Sequence, residues 1–421
     1  MTALRVAAAL GLFAAISLPG LATALSLPEA ILLAQKSNPT LAQSKAQADA
    51  AGARLSEARA GRLPTVVLSG ESGWGTTDLS GFFGFGRSTV SPRGAALEVR
   101  QPVFAGGAIN AAIDRAREGR DAALAQAAGA KALLSAQVAE TYVTVLSAGQ
   151  LLSLDEAQVR ELSEIVRQAG LKFKDGATPR TDLDQARARL AGAQADLARA
   201  AGDVARARAR FTNVVGAEPD ALEPLSEVPQ SPAALEDAFA AATQSSPILL
   251  AAEASARSAE AGVRYAQADR LPTLALAASA NTTRDQFFPG YRADGVTVGV
   301  QGRWTLFSGG LVSGRISEAR ADVRAAQAGL DAARAQVREA VIGAWQDVQT
   351  ARAVVQAASD QSTASASALE SVRNEVRVGQ KPTVDLLDAE REALAAQDAL
   401  VIAHGQQVVD AYRLNALLHG E

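Results

Sequence analysis

Apolar side chains recur every third or fourth residue through two long stretches without proline, at about residues 105–175 and 308–378. The recurring positions include Val138, Tyr142, Val145 and Leu146 in the first stretch and Val337, Val341, Trp345 and Val348 in the second. Arg, Glu, Asp and Gln occupy the opposite faces, so the pattern predicts two amphipathic helices. At 1.5 Å of rise per residue, roughly 70 residues give a helix of about 105 Å, a length typical of coiled-coil packing.

A turn and a shorter helix follow each long helix, and these shorter helices are predicted at 180–215 and 383–418. The first turn contains Gly176, Thr178 and Pro179, and the second contains Gly379 and Pro382. Glycine can adopt the left-handed conformation that ends a helix, and proline favours the first turn of the next one. The sequence therefore predicts two helix hairpins.

The apolar pattern changes to an alternation of two in four segments, which predicts strands at about 65–75, 94–104, 273–283 and 294–307. A tilted strand of about 11 residues is long enough to cross an outer membrane. Aromatic residues lie at the predicted strand ends, namely Trp74, Phe104, Trp304 and Phe307. They favour an aromatic girdle at a membrane interface, and the alternative is a small soluble hairpin core. A glycine- and aromatic-rich loop at 78–86 lies between the first two strands.

The same motifs occur twice, in the same order. Arg-Leu-Pro-Thr at 62–65 returns at 270–273, Phe-x-Gly-Gly at 104–107 returns at 307–310, and the turn at 176–183 returns at 379–386. The period is far longer than a solenoid repeat, so it indicates an internal duplication of domain-sized units. The predicted organisation is a first repeat at 25–215, a proline-rich linker at 216–232 and a second repeat at 233–421.

Residues 1–24 are predicted to be a signal peptide, because Arg5 precedes an apolar run and Ala22-Thr23-Ala24 fits a cleavage site. The alternative is a retained N-terminal anchor. The chain has no cysteine, which excludes disulfides, thiolate metal sites and a lipid-modified N-terminal cysteine. Its net charge of −4 is finely mixed, with no basic stripe for nucleic acid.

After the signal, no apolar stretch approaches the length of a membrane helix, so any crossing of a membrane must use strands. Four strands cannot close a barrel, and an open edge in lipid leaves backbone groups unpaired. Two chains would contribute eight strands around a filled interior, and three chains would contribute twelve, enough for a water-filled channel.

These repeated motifs, in their order, resemble those of the TolC-like outer-membrane efflux family over essentially the whole mature chain. The resemblance implies an α+β fold in which a twelve-stranded outer-membrane β-barrel, four strands per protomer, continues into a long periplasmic α-helical coiled-coil barrel. It implies a homotrimer in the outer membrane of a Gram-negative cell. Its partners would be outer membrane lipid, a periplasmic adaptor (membrane fusion protein) and an inner-membrane ABC or RND transporter.

The resemblance also suggests roles for residues of the turns. Asp385 and Asp388 stand three apart on one helix face, so a trimer would carry two rings of carboxylates. The resemblance places selectivity aspartates at these positions; the alternative is that they complement the helix dipole. Asp182 is expected in the same gate network, with Lys381 a possible partner. Val376 stands where well-known members have an aromatic residue.

By the same resemblance the turns, with Gly176, Thr178, Pro179, Gly379 and Pro382, form the adaptor-docking tip. No catalytic constellation or nucleotide motif is visible, so no enzyme activity, cofactor or metal is expected. The resemblance thus implies a passive, gated exit duct of a tripartite efflux pump or a type I secretion system. The alternative is a soluble periplasmic coiled-coil scaffold or adaptor.

Overall fold

The structure, a computed structural model, describes residues 24–80, 86–225 and 228–419. The predicted signal peptide at 1–24 lies outside the described residues except for Ala24, and so do residues 81–85 of the glycine- and aromatic-rich loop. The helices are α1 (Leu27–Ser37), α2 (Pro39–Ala60), α3 (Ala108–Lys174), α4 (Arg180–Val215), α5 (Leu235–Ser245), α6 (Pro247–Ala268), α7 (Leu311–Arg377) and α8 (Thr383–His419). The strands are β1 (Thr65–Ser72), β2 (Gly75–Asp78), β3 (Arg87–Val90), β4 (Arg93–Ala105), β5 (Thr273–Arg284) and β6 (Arg292–Arg303).

The two long helices, α3 and α7, contain 67 residues each. The observed helix α4 coincides with the segment 180–215 that the sequence predicts. Strand ends differ more: β6 ends at Arg303, four residues before the predicted end at Phe307. The strands β2 and β3 were not predicted, because four-residue segments beside glycine carry too little alternation to be recognised.

Four strands form one antiparallel sheet in the order β1-β4-β5-β6. The pairing is continuous from Thr273 with Arg303 to Arg284 with Arg292 between β5 and β6. Between β4 and β5 the register shifts at Pro102, where the missing backbone N–H favours an irregularity. A separate two-stranded ribbon consists of β2 and β3. In the described sheet, β1 and β6 are the edges and pair on one side only.

The chain divides into two compact units that do not follow the two repeats. The hairpin unit comprises the described parts of Met1–Asn38, Gln137–Pro229 and Ala351–Val409. The sheet unit comprises the described parts of Pro39–Ala136, Gln230–Thr350 and Asp410–Glu421. Each repeat therefore contributes residues to both units.

The hairpin unit begins with residues that follow the predicted signal peptide. Leu25 forms a parallel bridge with Leu222, and the hydroxyl of Tyr142 lies 2.7 Å from the carbonyl oxygens of both Leu25 and Glu223. Tyr142 is fully buried and its ring packs 6.2 Å from that of Phe211. A backbone bridge and one buried tyrosine thus fix the N-terminal segment of the unit to the linker.

The sheet unit has its own apolar cluster, which joins α5, α6, α7 and α8. The buried members are Ala238, Ala242, Leu249, Val337, Val341, Val348, Leu414 and Leu418. Three of them are among the apolar positions that predict α7, so the periodic face of that helix is the packed face. None of the helices in the described part of the chain combines the length and the apolar character that a membrane span requires.

A half-buried carboxyl group makes the stability of the hairpin unit depend on pH. Burial raises the pKa of Asp398 in α8 to about 6, and the negative charge of Asp155 acts in the same direction. Burial likewise raises the pKa of Asp155, with Asp196 adding to the effect and Arg199 opposing it.

We expect Asp398→Asn to stabilise the protein at pH 8 and to have little effect at pH 4. The carboxyl group of Asp398 releases its proton less readily in the fold than in the unfolded chain, so the fold loses stability as the pH rises from about 4 to about 6. Above pH 6 the loss is complete, and solvent screening of this half-exposed group limits it to about 1 kcal/mol per chain.

Thermal midpoints followed by circular dichroism at both pH values measure this difference. Asp347→Asn, at an exposed position of α7, is the matched control. An equal shift by Asp398→Asn at the two pH values would contradict the prediction.

Candidate functional site

The two helix hairpins of the hairpin unit end in turns of the same backbone geometry. In the first, Gly176 has φ of 71°, its N–H donates to Phe173 O at 3.0 Å, and Ala177 N–H donates to Lys172 O at 2.8 Å. This pair of hydrogen bonds is the Schellman motif, which satisfies the last carbonyl groups of a helix.

The second turn repeats the motif. Gly379 has φ of 79°, its N–H donates to Val376 O at 3.2 Å, and Gln380 N–H donates to Glu375 O at 2.9 Å. The agreement explains why glycine stands at both positions: a side chain with a Cβ atom rarely adopts this conformation.

The shorter helices restart at equivalent prolines. Asp182 N–H donates to Pro179 O and Asp385 N–H donates to Pro382 O, both at 3.3 Å. Thr178 lies between the glycine and the proline of the first turn and is half-buried. Asp182 and Asp385 are therefore half-buried acids in the first turn of their helices, where they also complement the helix dipole.

An apolar cluster fills the space between the hairpins. Its buried members are Leu162, Ile165, Ala186, Val376, Leu386 and Leu387, from α3, α4, α7 and α8. Val376, the position that departs from the expected aromatic residue, is thus a packing residue. Asp385 and Asp388 flank the two buried leucines of α8 in sequence, which keeps both aspartates off the packed face.

Ion pairs connect the hairpins beside this cluster. Arg189 of α4 donates to Asp388 of α8, with 2.9 Å between Nη2 and Oδ1. Arg373 of α7 donates to Glu161 at 3.1 Å and to Glu390 at 2.7 Å. Burial raises the pKa of Glu390, and the hydrogen bond from Arg373 opposes that rise. The pairs join all four helices of the two hairpins.

Lys381 has a partner within its own hairpin. Its Nζ lies 2.8 Å from Oε2 of Glu375, and this hydrogen bond raises the pKa of Lys381. In the protomer Lys381 therefore forms an ion pair with Glu375, and a contact between Lys381 and Asp182 stays a prediction. Asp385 is close enough to Lys381 to add to the rise.

Sequence reasoning missed Arg189, Arg373 and Glu390. A comparison of the repeats contains a signal for Arg189: at the offset of 203 residues its counterpart is Glu392, and the counterpart of Asp388 is Gln185. The repeats thus differ in charge at Arg189 and at Asp388, and these two residues form the ion pair. Arg373 and Glu390 carry no comparable signal, because their contact depends on how the helices are rotated.

The two faces of the sheet differ in chemistry. Directly opposed residues of antiparallel strands lie on one face, as Val66 and Val99 do, or Ala278 and Val298. One face carries Val66, Leu68, Leu97, Val99, Leu276, Val296, Val298 and Val300. The opposite face carries Ser69, Glu71, Glu98, Arg100, Ser279, Asn281, Thr297 and Gln301, with Val67 as an apolar exception.

The apolar face is exposed in the protomer. Val296, Val298 and Val300 expose 79%, 76% and 69% of their surface, which soluble proteins rarely allow in a contiguous patch. The aromatic residues of the predicted girdle are also exposed, and Trp304 Nε1 donates to Arg270 O at 3.1 Å. Phe104 lies in β4, whereas Trp74, Trp304 and Phe307 lie in the segments just beyond strands.

No group of three or more His, Asp or Glu residues within the described ranges is arranged to hold a metal ion. The hairpin unit instead offers two helix turns with their aspartates and ion pairs. The sheet unit, taken by itself, offers a sheet with one apolar and one polar face.

Most of the chain matches a known protein family. The profile of the family described as "Outer membrane efflux protein" matches residues 30–217 and 239–420. The chain is similar to the outer membrane efflux protein BepC of Brucella suis, with 32% identity over 280 residues that cover 66% of this chain and 61% of BepC. It is also similar to the protein CyaE of Bordetella pertussis, with 31% identity over 78% of this chain and 70% of CyaE.

A solved structure has the same fold. The crystal structure of a membrane protein from Pseudomonas aeruginosa superposes with a TM-score of 0.83 over 93% of this chain and 90% of that chain, at 20% sequence identity. The two segments that the family profile matches leave out residues 218–238, which include most of the predicted linker.

We expect Gly379→Ala to lower the free energy of unfolding by about 1–2 kcal/mol, because alanine must then adopt a left-handed conformation. A Cβ atom at Gly379 would meet nothing within 4 Å, so the effect isolates backbone strain. The matched control is Gly192→Ala, at an exposed glycine inside α4 that is also unobstructed. That change should stabilise the helix by up to about 1 kcal/mol. Urea midpoints that move in the same direction for both variants would contradict the expected geometry.

Proposed function

The chain belongs to the outer membrane efflux protein family, and from that premise we propose that it forms a passive homotrimeric channel, the exit duct of a tripartite efflux pump or a type I secretion system. The protein has the α+β channel fold of this family and resides in the outer membrane, extending into the periplasm. The family is one of channels rather than of enzymes, and its members are trimers that work with periplasmic adaptors and inner-membrane transporters.

The observation that carries the proposal is the four-stranded sheet with an exposed apolar face and two open edges. In lipid, an unpaired edge exposes backbone N–H and C=O groups that nothing solvates. Three copies that pair β6 of one with β1 of the next close twelve strands and leave no edge. The apolar face then meets lipid, and the polar face lines the channel.

The soluble scaffold, the alternative function, explains this sheet less well. A soluble protein would have to cover both the valine-rich face and the strand edges. An outer-membrane channel uses both features.

The hairpin turns supply the proposed gate and docking surface. In a trimer Asp385 and Asp388 each form a ring of three carboxylates, and such rings attract cations. Asp182 and Lys381 belong to the same gate region. The exposed turns around Gly176, Thr178, Pro179, Gly379 and Pro382 present rigid backbone to an adaptor, while Trp74, Phe104, Trp304 and Phe307 anchor the sheet at the membrane interfaces.

The faces of the sheet can be tested with two neighbouring residues. We expect Val298→Arg to prevent accumulation in the outer membrane, because an arginine facing lipid near the middle of the bilayer costs about 2–4 kcal/mol per strand. Thr297→Arg, on the polar face, should accumulate as heat-modifiable trimers at the normal level. Fractionation of cells followed by gel analysis without boiling measures both. Equal behaviour of the two variants would show that the faces are assigned wrongly.

The gate can be tested by electrophysiology. Wild-type trimers in planar lipid bilayers should form cation-selective channels that multivalent cations block. The double variant Asp385→Ala/Asp388→Ala should lower the cation-to-anion permeability ratio at least about twofold and weaken the block, because both carboxylate rings are lost. Asp331→Ala/Asp347→Ala removes two exposed carboxylates of the sheet unit and should change neither property. Unchanged selectivity in the first variant would refute the gate.

A further inference from the structure

The carboxylate of Asp388 is paired within its own chain. Arg189 of α4 reaches it across the two hairpins, with 2.9 Å between Nη2 and Oδ1. A guanidinium at this distance places a full positive charge against the carboxylate. The cation near Asp385, one turn earlier on α8, is Lys381, which is itself paired with Glu375. The two aspartates that a sequence pattern treats as equivalent are thus electrostatically different.

We propose that Arg189 is a specificity-determining residue of the channel, which holds Asp388 and cancels its charge, so that the negative charge of the gate comes mainly from Asp385. The inference rests on the proposed function, because it assumes that the α8 aspartates face the permeating ions. It changes the expected gate from two negative rings to one negative ring beside one neutral ring.

The comparison of the repeats supports a specific pairing. Arg189 corresponds to Glu392 and Asp388 corresponds to Gln185, so the equivalent contact in the opposite direction would join a glutamate and a glutamine. The two turns have the same backbone geometry, but only one of the two equivalent contacts brings opposite charges together. The ion pair therefore depends on the side chains and not on a difference between the turns.

The local balance of charge shows how much Arg189 matters. Arg189 pairs with Asp388, Lys381 pairs with Glu375, and Asp385 lies near Lys381. Among these five side chains, two cations against three carboxylates leave one net negative charge per chain, and Asp182 of the same gate region adds a second. Loss of Arg189 adds one further negative charge to every chain in the ring.

The ion pair between Arg189 and Asp388 is exposed, so its effect on permeation can be measured without a large change in the stability of the fold. The side chain of Arg189 is 40% exposed and that of Asp388 is 53% exposed. Such surface pairs contribute little to folding, so trimers should survive the loss of the arginine. A change in permeation would then report on charge at the gate rather than on a damaged fold.

The test measures reversal potentials in a KCl gradient across planar bilayers that contain wild-type, Arg189→Gln, Asp388→Asn or doubly substituted trimers. Arg189→Gln should raise the cation-to-anion permeability ratio at least about twofold and strengthen block by multivalent cations, because the charge of Asp388 is exposed. Asp388→Asn should lower the ratio, because it leaves the charge of Arg189 unpaired, and the double substitution should return the ratio close to the wild-type value. Arg189→Lys keeps the charge and should preserve wild-type selectivity.

A neighbouring arginine provides the matched control. Arg187 lies on the same helix and pairs with Asp184 of its own helix, at 3.7 Å. Arg187→Gln should leave selectivity unchanged. If Arg187→Gln acts like Arg189→Gln, Arg189 is one positive charge among several. If the double substitution fails to restore wild-type selectivity, Arg189 does not offset the charge of Asp388. Either result overturns the inference.

The outcomes also separate this inference from the proposed function. If Asp385→Ala/Asp388→Ala alters selectivity while Arg189→Gln does not, the gate stands and the role of Arg189 is wrong. If wild-type trimers form no channels, both the proposed function and the inference fail.

Discussion

The two open edges of the four-stranded sheet constrain everything else about this protein. β1 and β6 each pair on one side, and each unpaired backbone group costs several kcal/mol in a medium without water. A single chain therefore cannot place this sheet in lipid, whatever the packing of its helices. The exposed apolar face, in turn, argues against a sheet that stays in water. The closed trimer that we propose pairs both strand edges and turns the apolar face to lipid. The need to pair the backbone groups therefore connects the fold of the chain to its assembly.

Small residues determine how the helices meet. Alanine accounts for many of the buried positions in both units, and few large side chains are fully buried. Small side chains allow helix backbones to approach closely, but each buries little apolar surface. Specific anchors then become more important, and Tyr142 is one of them, because its hydroxyl joins the N-terminal segment and the linker at a single point. Such a unit depends on its polar contacts for register more than a leucine-rich bundle does.

The sequence predicted the helices better than the strands, for a physical reason. Gly176, Pro179, Gly379 and Pro382 restrict the backbone locally, so α4 coincides with its prediction and the long helices begin and end within three residues of theirs. Strand ends depend on partners that are distant in sequence, and β6 stops where β5 begins to pair, at Arg303. The polar contacts were harder still. Which of several arginines meets Asp388 depends on the rotation of α4 and α8 about their axes, and local patterns do not determine that rotation.

The two hairpin turns of this chain have the same backbone geometry. Differences between their side chains are therefore informative. Because Gly176 and Gly379 have nearly the same φ, a substitution nearby alters charge without altering the path of the chain. Asp388 and Arg189 differ from their counterparts, Gln185 and Glu392, by opposite changes of charge at positions that touch. The two differences do not cancel, because Asp388 and Arg189 together are neutral whereas Gln185 and Glu392 together carry one negative charge. An unpaired arginine or an unpaired aspartate would add a full charge to the gate. The contact therefore adds both charges at once and leaves the pair itself neutral.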